Sequence, residues 1–384
     1  MQINPLAAAI DSITLGPEVV VRNLTMIPLV LKREAHSTRR TPSTVSTPST
    51  VSTPSTSNTS STPSPPGTPR LDYLVLDDAL TSGAVEITEV SDQGSVPDLK
   101  FVNRAARPVL IVDGEELLGA KQNRIVNLTI LVAAKSAITI PVSCVEAGRW
   151  RSRSRAFTAA PRTQYATGRA RRMADVSVSM LSTGDRVSDQ ADVWRDIAQK
   201  SSRMSADSPT SAMEAIFSTH AASIDEFVDG CRPVDGQVGA LFVVGTTIVG
   251  FDLFDCESTL RKMLPKLVRS VSVDAIDASM VTARESTEQD RSAFHSPSHV
   301  EGTFASPDLG AQASRPATSD SEPQGSCAKL RAQAAQFLAV AAEAPQRAIP
   351  AIGLGDDVRL TAPHIAGAAL VLDHHVVHFG AFAL

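Results

Sequence analysis

Aromatic side chains are scarce in this sequence, since Phe, Trp and Tyr together make up 4% of its 384 residues. Aliphatic side chains must therefore fill most of the core. The four cysteines form no Cys-x-x-Cys pair and have no His at ligand spacing, which argues against a disulfide framework and against a zinc site. We predict reduced thiols, no bound metal and no cofactor.

Signals for export and for membrane insertion are also missing. The N-terminus has no basic segment followed by an apolar run, and the most apolar stretch, 238–254, is interrupted and short for a bilayer span. A formal charge of −5 is too small to favour nucleic acid or a membrane through the field of the whole molecule. The sequence predicts a cytoplasmic protein with no membrane or nucleic-acid partner, and it identifies no protein partner.

Two stretches contain too little apolar surface to offset the entropy lost on ordering the chain. Residues 36–69 are almost wholly Ser, Thr and Pro, and residues 285–326 are rich in Ser, Pro, Asp and Gly without periodicity. We predict that both are disordered insertions. The remaining residues, 1–35 and 70–384, are then expected to form a single α+β domain.

Alternating apolar residues between 73 and 145 predict a meander of mostly antiparallel strands, with a hairpin turn at Asp113-Gly114. Helices and a C-terminal hairpin are predicted to follow this sheet. The helical segments are 189–201, 211–228, 257–267, 271–281 and 328–343, and Pro265 is expected to separate the third from the fourth. Strands are predicted at 238–251, as a hairpin, and at 357–360, 368–372 and 376–379, where the last two form the C-terminal hairpin.

The densest set of polar groups lies on a predicted strand and the turn after it, and it begins with two carboxylates, Glu115 and Glu116. Successive strand side chains point to opposite faces, so these two carboxylates cannot serve one site. If Glu116 shares a face with Leu118, it lies beside apolar surface, which raises a carboxyl pKa toward that of a general acid or base. A solvated strand face with paired charges explains the same residues equally well.

Donor side chains that suit a phosphate or carboxylate come next: Lys121, Gln122, Asn123 and Arg124. An arginine-rich run follows a second strand, and no acidic residue occurs in it from position 147 to 174. Guanidinium groups in a loop beside a strand end suit a phosphorylated small molecule, whereas a flexible basic loop without a ligand is the alternative. The candidate ligand contacts in this second segment are Glu146, Arg149, Trp150 and Arg153.

Other polar groups have a simpler structural interpretation. Ser143 and Cys144 have no His nearby in sequence, so both are expected to be buried strand residues rather than nucleophiles. The segment 353–356 lacks the third glycine and the strand–helix context of a dinucleotide-binding turn. Ser188 or Asp189 is expected to cap a helix.

Several motifs of this sequence together resemble one protein family. They are the segments 115–124 and 140–150, Ser188-Asp189-Gln190 with Trp194, Ser208-Pro209-Thr210 with Met213, and the segments 236–240, 252–255 and 351–355. The sequence resembles a family named for its association with ADP-ribosylglycohydrolases and rhodanese–phosphatase proteins. The resemblance covers nearly all of the chain except the two insertions. It implies a single α+β domain and, by association, a role in NAD-derived or ADP-ribose metabolism.

Three hypotheses about function follow. The first is an enzyme, or an enzyme-like pocket, acting on an ADP-ribose or nucleotide-phosphate ligand. Glu116 would act as general acid or base, with Glu115 in reserve, while Lys121, Arg124 and Arg149 would hold phosphate. The second is a non-catalytic module that senses such a ligand or docks a partner enzyme. The third is an interaction protein working through its Ser/Thr/Pro-rich segment.

Overall fold

The computed structural model describes residues 4–32, 71–91, 93–294 and 322–384. These residues form an α+β structure with mostly antiparallel sheets, which confirms the predicted fold class. The predicted insertion at 36–69 lies outside the described residues, as do residues 295–321 of the second one. The two ends of that second insertion belong to the helices that flank it.

Helices occupy most of the segments with helical spacing. Those of the described residues are α1 (Pro5–Asp11), α2 (Leu76–Thr81), α3 (Ala166–Ser182), α4 (Gln190–Arg203), α5 (Glu214–Thr219), α6 (Ala221–Gly230), α7 (Glu257–Phe294) and α8 (Glu322–Glu343). Asp189 caps α4 by accepting hydrogen bonds from the backbone N–H groups of Ala191 and Asp192, as predicted. None of the helices in the described ranges combines the length and the apolar character that crossing a membrane requires.

Nine antiparallel strands form the large sheet. They are β1 (Ile13–Leu15), β2 (Val19–Val21), β3 (Leu24–Leu31), β13 (Gln237–Val244), β14 (Thr247–Phe254), β15 (Gln346–Pro350), β16 (Asp356–Leu360), β17 (Ile365–Leu372) and β18 (His375–Ala383). The hairpins β13–β14 and β17–β18 are those predicted from the sequence. Alternate residues of β13 face two different cores: Phe242 packs with α7, and Leu241 packs with α8. Both faces of the large sheet are therefore covered.

Six further strands form the closed sheet, in the order β12-β8-β9-β11-β6-β5. Their ranges are β5 (Val85–Glu89), β6 (Asp98–Asn103), β8 (Glu115–Gly119), β9 (Arg124–Val126), β11 (Ser136–Cys144) and β12 (Phe157–Thr163). An antiparallel bridge between Thr88 and Ala156 joins the two edges, so the sheet closes on itself. Its interior is apolar and contains Ile87, Leu99, Phe101, Leu117, Val126, Ile140, Val142 and Phe157.

The predicted Asp113-Gly114 hairpin is wrong, although a turn does form there. Gly114 has φ 81°, and the N–H of Glu115 donates to the carbonyl of Val112 at 3.1 Å. The strands on either side nevertheless separate, because β7 (Val109–Ile111) pairs with β4 (Leu74–Val75) and β10 (Ile130–Val132) in a small sheet of its own. All three residues of β7 are buried, so it packs on both faces instead of extending a simple meander.

The predicted helix break at Pro265 is also wrong, since α7 continues through it. A proline inside a helix removes one hydrogen bond and costs about 3 kcal/mol. The residues on both sides are almost fully buried, among them Met263, Leu264, Leu267 and Val268. Burial of each such side chain contributes about 1.5–3 kcal/mol, which offsets the loss.

The arginine-rich run from 157 onward was expected to be a loop, and this expectation is wrong. It forms β12 and then α3, a helix of 17 residues in which Arg169 and Arg172 are buried. Their carboxylate partners, Asp113 and Asp252, are 56 and 83 residues away in sequence from Arg169. Nothing within the run itself indicates that its charges are neutralised inside the protein.

The close approach of Gly355 to β17 gives a test of the packing beside the small sheet. Gly355 has φ +88°, and a Cβ there would lie 2.3 Å from the carbonyl oxygen of Val371. Gly184 has a similar φ of +83° but open space around it. We expect Gly355→Ala to lower the free energy of unfolding by about 3 kcal/mol, and Gly184→Ala by only about 1 kcal/mol. Urea unfolding measures both values, and equal losses would show that the contact at Gly355 is not constraining.

Candidate functional site

The β8–β9 hairpin carries the predicted donor residues at one end of the closed sheet. Arg124 is in register with Leu117 on β8 and with Cys144 on β11. Paired residues on neighbouring antiparallel strands share a face, and Leu117 lies in the apolar interior of the closed sheet. Arg124 and Cys144 therefore face the interior at the end of this sheet. Cys144 is fully buried, as predicted, and burial raises the pKa of its thiol.

Arg124 is a fully buried guanidinium with little to neutralise it. Its Nη1 donates to Oε1 of Gln122 at 2.7 Å, whereas its Nε and Nη2 have no hydrogen-bond partner among the described residues. Burial lowers the pKa of Arg124, despite the attraction of the nearby Cys144 and Glu89. Within the described ranges no carboxylate forms an ion pair with it. A buried charge in this state is unfavourable unless another group supplies the missing contacts.

The two free nitrogens of Arg124 form one edge of the guanidinium, and this edge binds carboxylates elsewhere in the same chain. In the buried pair of Arg359 with Asp357, Nε and Nη2 contact the two carboxylate oxygens at 2.7 and 2.8 Å. Arg203 uses the same edge on Asp277, at 3.1 and 2.7 Å. The free edge of Arg124 therefore has the geometry for bidentate binding of an oxyanion. We call this edge and the residues around it the anion site.

Three of the predicted ligand contacts build the wall of the anion site. The carboxylate of Glu146 pairs with Arg149 at 2.6 Å and accepts the backbone N–H of Asn123 at 3.2 Å. Arg149 also donates to the carbonyl oxygens of Gly119 and Ala120, at 3.3 and 2.7 Å. These contacts fix the β8–β9 hairpin. Burial opposes ionisation of Glu146, but its hydrogen bonds outweigh burial and lower its pKa.

Basic and aromatic side chains lie between the anion site and the solvent. The indole of Trp150 is 49% exposed, and its ring centre is 5.7 Å from the Arg124 guanidinium and 5.4 Å from Nζ of Lys121. The Lys121 ammonium also donates to the carbonyl of Gln93 at 2.6 Å. We call this set the rim, and it consists of Lys121, Trp150 and the exposed Arg151, Arg153 and Arg155.

Glu116 lies on the other face of β8, outside the closed sheet. Its Oε2 accepts from Nε of Arg162 at 2.5 Å, while its Oε1 and Nη2 of Arg162 have no partner among the described residues. Burial raises the pKa of Glu116 and outweighs the attraction of Arg162, and the charge of Glu214 adds to the increase. The direction of this pKa shift is the one expected for a carboxyl group beside apolar surface. The structure does not bring Glu116 together with Arg124, since their side chains lie on opposite faces of the paired strands β8 and β9.

Glu115 belongs to a third environment. Its two carboxylate oxygens accept from Nζ of Lys266 at 2.7 Å and from the backbone N–H of Val112 at 2.8 Å. Lys266 also pairs with Asp77. Glu115 and Glu116 therefore lie in different surroundings on opposite faces of β8, as the strand alternation predicted.

A buried network of charges, which the sequence did not indicate, lies beneath α3. Arg169 contacts Asp113 at 3.2 Å and binds both oxygens of Asp252 at 2.9 and 3.0 Å, and Nε2 of His378 lies 3.0 Å from Asp252. Burial alone would raise the pKa of Asp252, but Arg169 and His378 lower it to about 2. Arg172 contacts the other oxygen of Asp113 at 2.6 Å. Each carboxylate of this network is partnered, which distinguishes it from the anion site.

A cavity of about 500 Å³ forms a cleft between α3 and α4. Its exposed arginines, Arg171 and Arg195, pair with Asp196 and Asp192 of α4. None of the predicted site residues lines this cleft. Over the residues that the structure covers, no group of three or more His, Cys, Asp or Glu side chains is placed to hold a metal ion.

The fold and the site define an α+β protein with a buried arginine whose Nε and Nη2 have no partner among the described residues. Residues 12–317 match the family described as the ARG and Rhodanese-Phosphatase-superfamily-associated Protein domain, so the chain belongs to this family. The match agrees with the resemblance seen in the sequence motifs. Neither the curated proteins nor the solved structures contain a match to the chain.

The opposite pKa shifts of Glu116 and Glu146 predict opposite effects of pH on stability. Glu116 keeps its proton to a higher pH when folded, so its contribution to stability is lost as pH rises above the ordinary carboxyl pKa. The contribution of Glu146 is lost as pH falls instead. As the pH rises from about 3 to about 7, we expect Glu116→Gln to gain stability relative to the unsubstituted protein. Over the same range, we expect Glu146→Gln to lose stability relative to it. Urea unfolding at several pH values measures both trends, and parallel trends would contradict the assignment.

Proposed function

We propose that the chain binds an ADP-ribose or another NAD-derived phosphorylated small molecule at the anion site, with Arg124 on a phosphate group. The observation that supports this proposal is the fully buried Arg124, whose Nε and Nη2 have no partner among the described residues. The family's association with ADP-ribosylglycohydrolases supports the NAD-derived part of the ligand.

The surroundings of Arg124 favour a phosphate over a small carboxylate. The rim adds Lys121 and three exposed arginines, which raise the local concentration of a multiply charged anion. The half-exposed ring of Trp150 offers a flat surface for the base or sugar attached to the phosphate. A phosphate also accepts two parallel hydrogen bonds from one guanidinium edge.

Entry of a ligand requires movement of the rim. Arg124 itself has no exposed surface, and Trp150 lies over it. The loop that carries Trp150 is attached to the hairpin through the N–H of Arg153, which donates to the carbonyl of Ala120 at 2.9 Å. We expect this loop to open and then to close on the bound ligand.

Replacing Arg124 by Met tests the proposal. We expect ADP-ribose, NAD or a related phosphate to raise the melting temperature of the unsubstituted protein and to leave that of Arg124→Met unchanged. Arg232→Met is the control for binding, because Arg232 pairs only with Asp229 at an exposed position. A differential scanning fluorimetry screen gives all of these values. Absence of a shift with every phosphate in a folded sample, or equal shifts in Arg124→Met, would contradict the proposal.

The same variant also tests how Arg124 contributes to the free energy of unfolding of the ligand-free protein. Arg124 has no direct carboxylate contact among the described residues, so its removal breaks no ion pair. Arg124→Met should therefore lower the free energy of unfolding by less than about 1 kcal/mol or even raise it. Arg359→Met is the matched comparison, because it leaves the buried Asp357 without its partner. We expect that variant to lose about 3–5 kcal/mol in urea unfolding. Similar losses in both would show that Arg124 is paired in solution.

A second candidate function is catalysis by Glu116. The observation in its favour is a buried carboxylate with one free oxygen and a raised pKa, which are properties of a general acid or base. The position of Glu116 favours binding over catalysis, because Glu116 lies outside the closed sheet whereas Arg124 faces its interior. A catalytic role therefore requires the ligand to extend from the anion site around the end of β8.

Glu116→Gln separates the two functions. If Glu116 is catalytic, we expect this variant to keep the melting-temperature shift with ligand and to lose at least about 100-fold in turnover, as for removal of a general acid or base. Chromatography of ADP-ribose, NAD and their products after incubation measures turnover. A protein that binds ligand but converts none of these compounds, in either form, supports the non-catalytic module.

A further inference from the structure

The end of β5 brings a second unsatisfied polar atom to the anion site. Oε1 of Glu89 accepts the backbone N–H of Lys121 at 3.2 Å, whereas Oε2 is buried and has no partner among the described residues. Glu89 is two residues after Ile87 on β5, so the two side chains share a face. Ile87 lies in the interior of the closed sheet. The Thr88–Ala156 bridge carries this strand end to the β8–β9 hairpin. Glu89 and Arg124 thus both face the interior at the hairpin end of the closed sheet, where Glu89 holds the backbone of Lys121.

Gly94 lies beside the buried free oxygen of Glu89. A Cβ on Gly94 would lie 3.3 Å from Oε2 of Glu89 and 3.1 Å from Cδ of Lys121. The backbone there has φ +78°, which any other residue adopts only with strain. A side chain at position 94 would therefore crowd this acceptor and Lys121 of the rim.

The two sets of free atoms have opposite hydrogen-bonding character. Arg124 offers two donors, whereas Oε2 of Glu89 offers an acceptor. A fully ionised oxyanion such as sulfate satisfies only the donors, and its charge is repelled by the carboxylate of Glu89. A phosphate that keeps one proton satisfies both, since two of its oxygens accept from Arg124 and its P–OH donates to Glu89.

We infer that the anion site selects a phosphate group that retains one proton, and that Glu89 is the residue responsible for this specificity. This inference rests on the proposed function and narrows its ligand. Phosphomonoesters lose their last proton with a pKa of about 6, so a protonated form is accessible near neutral pH. Free phosphate keeps at least one proton throughout this range. The internal diphosphate of ADP-ribose has no such proton. The preferred ligand class is therefore a compound with a terminal phosphate.

Competition among simple anions tests the inference on the full chain without any substitution. Isothermal titration calorimetry with inorganic phosphate, ribose 5-phosphate, ADP-ribose and sulfate gives the four affinities. We expect phosphate and ribose 5-phosphate to bind at least about 10-fold more tightly than sulfate and ADP-ribose, which is the effect of one hydrogen bond to a charged group. If ribose 5-phosphate binds more tightly than free phosphate, the ligand is a phosphomonoester. If free phosphate binds more tightly, the ligand is the free ion.

Glu89→Gln tests the role of the carboxylate. Its amide can donate to sulfate, so we expect the variant to bind sulfate at least about 10-fold more tightly than the unsubstituted protein does, and to lose the preference for phosphate. Glu86→Gln is the matched control, because Glu86 lies on the same strand, pairs with Arg104 and points away from the interior. This control should keep the preference for phosphate.

The outcomes separate the inference from the proposed function. Equal affinities for sulfate and phosphate, both lost in Arg124→Met, overturn the inference and leave the proposed function standing. Tighter binding of ADP-ribose than of ribose 5-phosphate has the same consequence. Binding of no anion, or binding that survives Arg124→Met, overturns both.

Discussion

The need of every buried guanidinium for an acceptor is the constraint on which this structure depends. Desolvation of an arginine is unfavourable by several kcal/mol unless a carboxylate or several carbonyls contact it. Arg169, Arg172 and Arg359 are each almost fully buried, and each of them meets a carboxylate. Arg124 is equally buried and meets none in the described residues. This contrast within one chain distinguishes Arg124 from the other buried arginines.

The satisfied arginines connect the parts of the fold. Asp113 follows β7 of the small sheet, and Asp252 belongs to β14 of the large sheet. Arg169 of α3 contacts both carboxylates, and Arg172 contacts Asp113 as well as the carbonyl of Asn127. The helix α3 is therefore held by charge between two sheets. The same ion pairs explain why an arginine-rich segment without acidic residues is a buried helix rather than a loop.

Local patterns in the sequence predicted the local features of the structure. Alternation along β8 predicted that Glu115 and Glu116 face different surroundings and that the pKa of Glu116 is raised. The hairpins β13–β14 and β17–β18 and the cap of α4 also followed from short patterns. Errors occurred where distant residues decide the outcome. The strands beside Asp113-Gly114 pair with other partners, and burial on both sides carries α7 through Pro265.

The candidate site shows the same division between local and distant effects. Two sequence segments, 121–124 and 146–153, were predicted to share one ligand, and Arg149 does contact the β8–β9 hairpin. The separation of Glu116 from Arg124 follows from the register of β8 with β9, which no local pattern specifies. Glu89 was missed for a related reason. It reaches the site only because the sheet closes through Thr88 and Ala156, which are 68 residues apart in the numbering.

The position of Arg124 links the stability of the fold to the occupancy of the proposed site. Arg149 and Glu146 hold the β8–β9 hairpin from outside, while Arg124 holds an unneutralised charge inside it. An anion that binds the folded chain alone stabilises it in proportion to the logarithm of its concentration. Part of the binding free energy then comes from relieving the buried charge, so a small ligand gains more affinity here than at an exposed arginine. Under the proposed function, a preformed guanidinium edge is thus both a weak point of the free protein and the source of the affinity for a phosphate.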